Sequence, residues 1–388
     1  MKQKNYILPT IILSQFACTS PWFAGNAIID ELIGKTGLGS ELAAYVISSV
    51  QFGFITGTLV FALLMLADRF SPSKVFLVCA LLAASCNLFL LYETITKWGL
   101  LLARFGTGFF LAGIYPVGMK IAADYYQKGL GKALGFLVGA LVLGTAFPFL
   151  LNGTDFGKDP ILIITSTSVI TVLGGLLLFL FVPNGPYRKK STQLQFSAGF
   201  RLFKIDNFRR AAFGYFGHMW ELYAFWAFTP FAIQSFNYLA GSQVSVPLWT
   251  GIVITLGAIS CALGGLLSQR YGSKKVAFWA LLLSGICCFA SPLLFQSNLS
   301  LFLSGWCLWG MAVTADSPQF SNLVAAAAPS EVKGTGLTLV NCIGFAVTIG
   351  SIQLLSSLTT MLPPHYCFLI LGFGPLVGLW QLSGHKID

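Results

Sequence analysis

The sequence predicts an all-α membrane protein, with twelve transmembrane helices arranged as two six-helix halves. Three observations carry that prediction. Of 388 residues, 56% are hydrophobic and only 9% charged, with 35 Phe and a mean hydropathy of +0.78. A soluble domain carries about 25% charged residues, so this surface is suited to lipid rather than water. Twelve apolar stretches of roughly 20 residues follow one another, each the length that spans a bilayer. Finally, one segment occurs twice, as Leu66-Ala67-Asp68-Arg69-Phe70-Ser71 and as Gly265-Leu266-Leu267-Ser268-Gln269-Arg270-Tyr271-Gly272-Ser273-Lys274-Lys275. Aligning Arg69 with Arg270 gives 270 − 69 = 201 residues, and aligning Gly131 with Gly334 gives 334 − 131 = 203. Two landmarks agree, so the halves are repeats, and paired helical halves place a substrate path near the midplane between them.

The first half holds helices near 7–29, 43–66, 75–92, 98–122, 132–152 and 160–182. Lys2 and Lys4 ahead of the first apolar run resemble a secretory signal, but no small-residue cleavage pattern ends it, so a retained helix is expected. A lipoprotein reading at Cys18 fits less well, because Gln15 stands where an apolar residue belongs. Pro21 and Pro116 should bend helices one and four, and Pro148 helix five, by removing backbone donors. The four-residue spacings Gly53 to Gly57 and Gly135 to Gly139 mark places where backbones can approach closely.

Residues 183–208 form the one long polar stretch, with Pro186, the run Arg188-Lys189-Lys190, then Arg201 and Lys204. This reads as a cytoplasmic linker whose charges face water or anionic headgroups, between an N-terminal bundle (1–182) and a C-terminal bundle (209–388). Helices of the second half are expected near 209–235, 247–268, 276–294, 300–325, 334–356 and 365–383, with Pro230 and Pro318 bending the seventh and tenth. Nine cysteines are scattered, and the adjacent Cys287 and Cys288 lack zinc spacing. They are read as small apolar residues, with no metal and no cofactor expected.

The net charge of +10 reports topology rather than nucleic-acid binding. With the N-terminus inside, Lys2, Lys4, Arg69, Lys74, Lys120, Lys128, Lys132, the cluster from Arg188 to Arg210, Arg270, Lys274, Lys275, Lys333 and Lys386 all fall on inner loops. The outer loops hold only Lys35, Lys97 and Lys158. That asymmetry predicts both termini in the cytoplasm. Short termini and no extra domain suggest a bacterial inner membrane protein working as a monomer.

Twelve helices in two halves, the repeated loop after helices two and eight, Arg104 with Gly108 in helix four, and the long central loop resemble the major facilitator superfamily. The family's loop pattern is Gly, then Leu-Ala-Asp-Arg, another Gly and basic residues. The first copy keeps Ala67-Asp68-Arg69 but has Leu64 and Ser71 at the glycines; the second keeps Gly265, Arg270, Gly272, Lys274 and Lys275, with Gln269 at the acidic place. The resemblance implies that Asp68, Arg69, Arg270 and Lys274 gate the cytoplasmic side. In helix five, Thr145 follows Gly144 where a drug/proton exchanger of this family would have proline, and the nitrate carriers' glycine-asparagine signature is absent from helices five and eleven.

A charge at mid-bilayer costs about 2.5 to 3.5 kcal/mol, so it tends to line a pathway or to have a partner. His218 and Glu221, three apart in helix seven, share a face and are expected to form a coupled pair that exchanges a proton. Mutual satisfaction within a helix interface is the plainer alternative. Asp316 in helix ten reads either as a second titrating carboxylate or binder of a cationic group, or equally as the N-cap of a helix restarting after the kink at Pro318. Arg104 suits either an anionic substrate or a conformational role. Trp22, Asn26, Gln51, Tyr115, Gln319 and Asn341 complete the expected lining, although each would also serve as an ordinary interhelical contact.

The function that follows is a proton-coupled secondary transporter, a symporter moving a small organic solute, anionic or zwitterionic by preference, through alternating access. An exporter or an uncoupled uniporter is the alternative. A membrane sensor lacks an output domain here, and an intramembrane enzyme would need a fuller constellation than His218, Glu221 and Asp316 supply.

Overall fold

The computed structural model describes residues 5–37, 39, 41–126, 130–188 and 195–383. Lys2, Lys4, Lys128, Lys189, Lys190 and Lys386, which contribute to the charge asymmetry, lie outside the described residues.

Among the described residues all regular structure is helical. In chain order the long segments are α1 (Ile7–Ala27), α2 (Leu42–Leu63), α3 (Pro72–Leu91), α4 (Lys97–Tyr125), α5 (Leu130–Asn152), α6 (Pro160–Phe181), α7 (Asp206–Ala240), α8 (Val246–Tyr271), α9 (Ser273–Phe295), α10 (Leu299–Ala327), α11 (Lys333–Met361) and α12 (Pro364–Ser383). Eleven are apolar enough to cross a membrane on their own composition. The exception is α7, the longest at 35 residues, whose stretch carries His218, Glu221, Gln234 and Asn237.

The chain forms two compact units, Met1–Gln193 and Leu194–Asp388. In the first unit α4 packs along α2, α6 along α3, and α1 against α5 and α6. In the second, α10 packs along α8, and α7 against α11 and α12. Glycine sets the closest approaches. A Cβ at Gly53 would press on the carbonyl of Phe105, one at Gly57 on that of Phe109, and one at Gly108 on that of Val50, so the α2 and α4 backbones touch. The second unit repeats the device where Gly310 meets the Val253 carbonyl and Gly264 that of Ala315.

Three of the five prolines expected to bend helices sit at breaks. α1 is interrupted at Ser20, ahead of Pro21; α4 between Leu111 and Tyr115, ahead of Pro116; and α10 at Asp316, ahead of Pro318. Pro148 and Pro230 instead lie inside continuous helices. The breaks in α4 and α10 are counterparts, because 318 − 116 = 202 and the segments begin 299 − 97 = 202 residues apart. Each proline deprives the carbonyl four residues earlier of its donor, and at the α1 and α10 breaks other groups fill in. Ala17 O receives Ser20 Oγ at 2.8 Å and Thr171 Oγ1 at 3.2 Å. Thr314 O receives Cys261 Sγ at 3.0 Å.

The stretch read as a solvated linker is partly docked. Tyr125 donates its hydroxyl to Pro183 O at 2.6 Å, Ser71 donates to Asn184 Oδ1 at 2.9 Å, and the Tyr187 N–H donates to Asp124 O at 3.0 Å. Arg188, expected to face headgroups, turns onto the first copy of the repeated loop and donates to the carbonyls of Asp68 and Phe70 at 3.1 and 2.8 Å. Those carbonyls end the short helix Leu66–Arg69, where a cation is electrostatically favoured. On the second unit the helix Phe196–Arg201 packs on α11, and Gly199 lies against Thr335.

Candidate functional site

The second unit encloses three ionisable side chains with almost no exposed surface: His218 (1%), Glu221 (0%) and Asp316 (1%). The expected His218–Glu221 pair does not form. Three residues along a helix correspond to about 60° of rotation, which is enough to send the two side chains to different neighbours. Glu221 accepts hydrogen bonds from Trp309 Nε1 of α10 at 2.6 Å, from Ser284 Oγ of α9 at 3.0 Å and from Cys288 Sγ of α9 at 3.3 Å. Its two oxygens are thus held by three neutral donors from two helices.

His218 instead faces the break in α10. Its Nδ1 lies 2.9 Å from Asp316 Oδ1, while the ring packs near Phe320 with centroids 6.0 Å apart. The pair is a close contact that becomes an ion pair when His218 carries a proton. Asp316 stands at the N-cap position of the helix that restarts at Ser317, but its carboxylate makes no capping bond. The capping alternative is therefore not the one this fold uses. Asp316 Oδ2, His218 Nε2 and both amide atoms of Gln319, one turn beyond Asp316, have no hydrogen-bond partner among the described residues. Buried polar groups are nearly always satisfied, so Asp316 and Gln319 in one turn of α10, with His218 facing them from α7, mark a locus where something other than packing is served.

In the first unit Arg104 is fully buried, and its guanidinium is committed to the broken α1. It donates to Pro21 O at 3.1 Å, to Trp22 O at 2.7 Å and to Asn26 Oδ1 at 2.9 Å. The expected lining residues Arg104, Asn26 and Trp22 do come together, as a fastening of α4 to α1. Gly25 makes room for the guanidinium, since a Cβ there would meet it at 3.0 Å. Trp22 packs on Phe54 with centroids 4.9 Å apart. Gln51 is buried, and its Oε1 has no hydrogen-bond partner among the described residues. Tyr115 opens the second piece of α4. In the second unit Asn341 of α11 accepts from Tyr215 of α7 at 2.9 Å.

Of the loop residues, Asp68 accepts from Lys120 Nζ at 2.7 Å, within the first unit. Arg69 is exposed, Arg270 is exposed beside the Tyr271 ring at 5.3 Å, and Lys274 is half-buried.

Sequence reasoning missed Ser284, Cys288 and Trp309 as the partners of Glu221. The signal for the first two was present, since four residues apart on α9 puts them on one face. Gln15 of α1 was also missed; it is fully buried, and neither of its amide atoms has a hydrogen-bond partner among the described residues. Cys261 and Cys288, read as apolar filler, both act as donors.

Two bundles of long apolar helices, with broken segments and ionisable groups in their interiors, define a secondary transporter. The family model of the Major Facilitator Superfamily matches residues 11–352, and the chain belongs to that superfamily. No curated protein matches its sequence. Solved structures of similar fold include the proton:xylose symporter XylE bound to 6-bromo-6-deoxy-D-glucose (14% identity, TM-score 0.74, covering 96% of this chain and 94% of that one). The nucleoside transporter NupG is similar at 16% identity and TM-score 0.72, with 98% and 100% coverage. The human organic anion transporter MFSD10 is similar at 15% and 0.71, again with 98% and 100%.

Proposed function

We propose that this transporter is proton-coupled and that His218 with Asp316, not His218 with Glu221, is its titrating pair. The observation that carries the reading is the 2.9 Å approach of the two side chains in a fully buried setting. With one proton shared, imidazolium and carboxylate sum to zero net charge. Loss of that proton leaves a bare negative charge in a low-dielectric interior, which is costly. The protonated pair can therefore stay buried while the carrier changes state, and it releases its proton only when water reaches it. One proton moving inward across about 100 mV supplies about 2.3 kcal/mol, enough for roughly fiftyfold accumulation of a solute.

The proposed cargo is a small organic solute. The expected preference for an anion or a zwitterion rested partly on Arg104, whose terminal nitrogens are bonded to α1, and the three fold neighbours carry chemically different solutes on one architecture. We place both termini in the cytoplasm of a bacterial inner membrane, with the protein working as a monomer. The Asp68–Lys120 pair and the basic residues Arg69, Arg270 and Lys274 serve as inner gates.

The test begins with thermal unfolding of the purified protein against anions, cations and zwitterions at about pH 6 and about pH 8, which selects the solute. Uptake of that solute into liposomes with an acidic exterior is then compared for wild type, Asp316→Asn and Glu221→Gln. Gradient-driven accumulation lost in Asp316→Asn, with solute exchange retained, supports the pair. Accumulation that survives in Asp316→Asn sinks it, and uptake indifferent to the gradient in wild type favours a uniporter.

A further inference from the structure

Away from the ionisable cluster, α8, α9 and α10 leave a cavity of about 510 Å³ between them, within the roughly 300 to 1,000 Å³ usual for small-ligand sites. Its floor is made by Gly264, Ala280, Ala312 and Ala315, side chains too small to fill the space between three helices. Ser260 also lines it, but the Ser260 hydroxyl is turned inward, donating to Gly257 O at 2.8 Å and lying 3.2 Å from Thr314 Oγ1. The walls are apolar and outward-facing: Leu263, Leu267, Trp279, Leu283 and Leu308 are all exposed. The cavity therefore opens sideways onto the apolar surface of the unit. At one end the lining changes character, with Tyr271 and the exposed Lys275, next to Arg270 at 5.3 Å from the Tyr271 ring and to Lys274.

We infer that this groove is a binding site for one anionic phospholipid, with an acyl chain lying between α8, α9 and α10 and the headgroup phosphate on Lys275 and its basic neighbours. Charge complementarity selects this occupant. An apolar slot open to the hydrocarbon accepts an acyl chain of any lipid, but a cationic cluster confined to one end rewards a negative headgroup and gives a zwitterionic one little. No acidic residue lines the groove to oppose it. The lipid would also wedge against Ala312 and Ala315, one turn before and directly before Asp316, so its occupancy bears on the α10 break without sharing any residue with the proposed proton site.

The experiment is native mass spectrometry of the delipidated full-length protein titrated with phosphatidylglycerol and phosphatidylcholine of identical chains. Variants are Lys275→Gln, which removes the charge, and Ala280→Trp and Leu267→Trp, which fill the groove from its floor and its rim. Thermal unfolding in neutral detergent checks that each variant is folded. Wild type should retain one phosphatidylglycerol selectively. Lys275→Gln should lose about fivefold of that preference, the fold-change expected for one lysine beside an anionic headgroup, and either tryptophan variant that folds should lose the bound lipid. Equal binding of both lipids by wild type overturns the proposal, and so does selective retention that persists in a folded tryptophan variant.

Discussion

Glu221 and Asp316 are two buried carboxylates of one unit whose surroundings give them different work. Glu221 is held by three donors, and an acceptor so well supplied acts as a fastening of α7 to α9 and α10. Asp316 lies 2.9 Å from His218 Nδ1, and neither of its oxygens has a hydrogen-bond partner among the described residues. Glu221→Gln, which places an amide N–H₂ where one of those donors points, should therefore lower stability by about 1 to 3 kcal/mol yet keep gradient-driven uptake, measured by thermal unfolding and liposome transport. Arg104→Lys should cost about 2 kcal/mol in the same unfolding assay, because a single ammonium does not reproduce the fork that reaches Pro21 O, Trp22 O and Asn26 Oδ1. The sequence singled out all four of His218, Glu221, Asp316 and Arg104, but spacing along one helix says only which face a residue shares. Partners are chosen by the helices packed against that face, and nothing in the i, i+3 relation of His218 and Glu221 reveals that Trp309 and Asp316 lie across from them.

The helices meet through backbone, and this makes glycine positions unequal. Gly108 faces the Val50 carbonyl, so Gly108→Ala forces α2 and α4 apart and should cost about 1 to 3 kcal/mol, as overpacking does. Gly350, in the middle of α11, has nothing within 4 Å of an added Cβ; Gly350→Ala should be neutral or stabilising by up to about 1 kcal/mol. Denaturation midpoints of the two variants should move in opposite directions or differ by several degrees. The spacing of Gly53 and Gly57 marked a close approach beforehand, but not that α4 is the partner. Proline was a less complete guide, for Pro21, Pro116 and Pro318 interrupt their helices while Pro148 and Pro230 do not. At the α1 and α10 breaks the freed carbonyls of Ala17 and Thr314 find donors in Thr171 and Cys261 on neighbouring helices, and such tertiary partners have no local signature.

Across the whole chain, duplication and hydropathy were the readable features, since both are summed over many residues and survive local exceptions. The offsets of 201 and 203 residues bracket the 202 that relates the breaks in α4 and α10. The proposed orientation rests on charge in the same summed way. A cysteine introduced by Lys97→Cys should react with a membrane-impermeant maleimide from outside intact cells, and one from Lys274→Cys only after the membrane is opened. What summation hid was the docking of Arg188, a single side chain whose partners are carbonyls of the first repeated loop. The same averaging explains why α7 alone is absent from the segments apolar enough to cross by composition, and that has a consequence for biosynthesis. A segment with His218 and Glu221 at its centre partitions poorly from the translocon into lipid, and its compensating groups are made later: Ser284 lies 63 residues beyond Glu221, Trp309 88 residues, and Asp316 lies 316 − 218 = 98 residues beyond His218. If α7 waits beside the exit channel until α10 has emerged, a nascent chain arrested before residue 300 should leave it extractable, and integration of the second half should occur as one cooperative step.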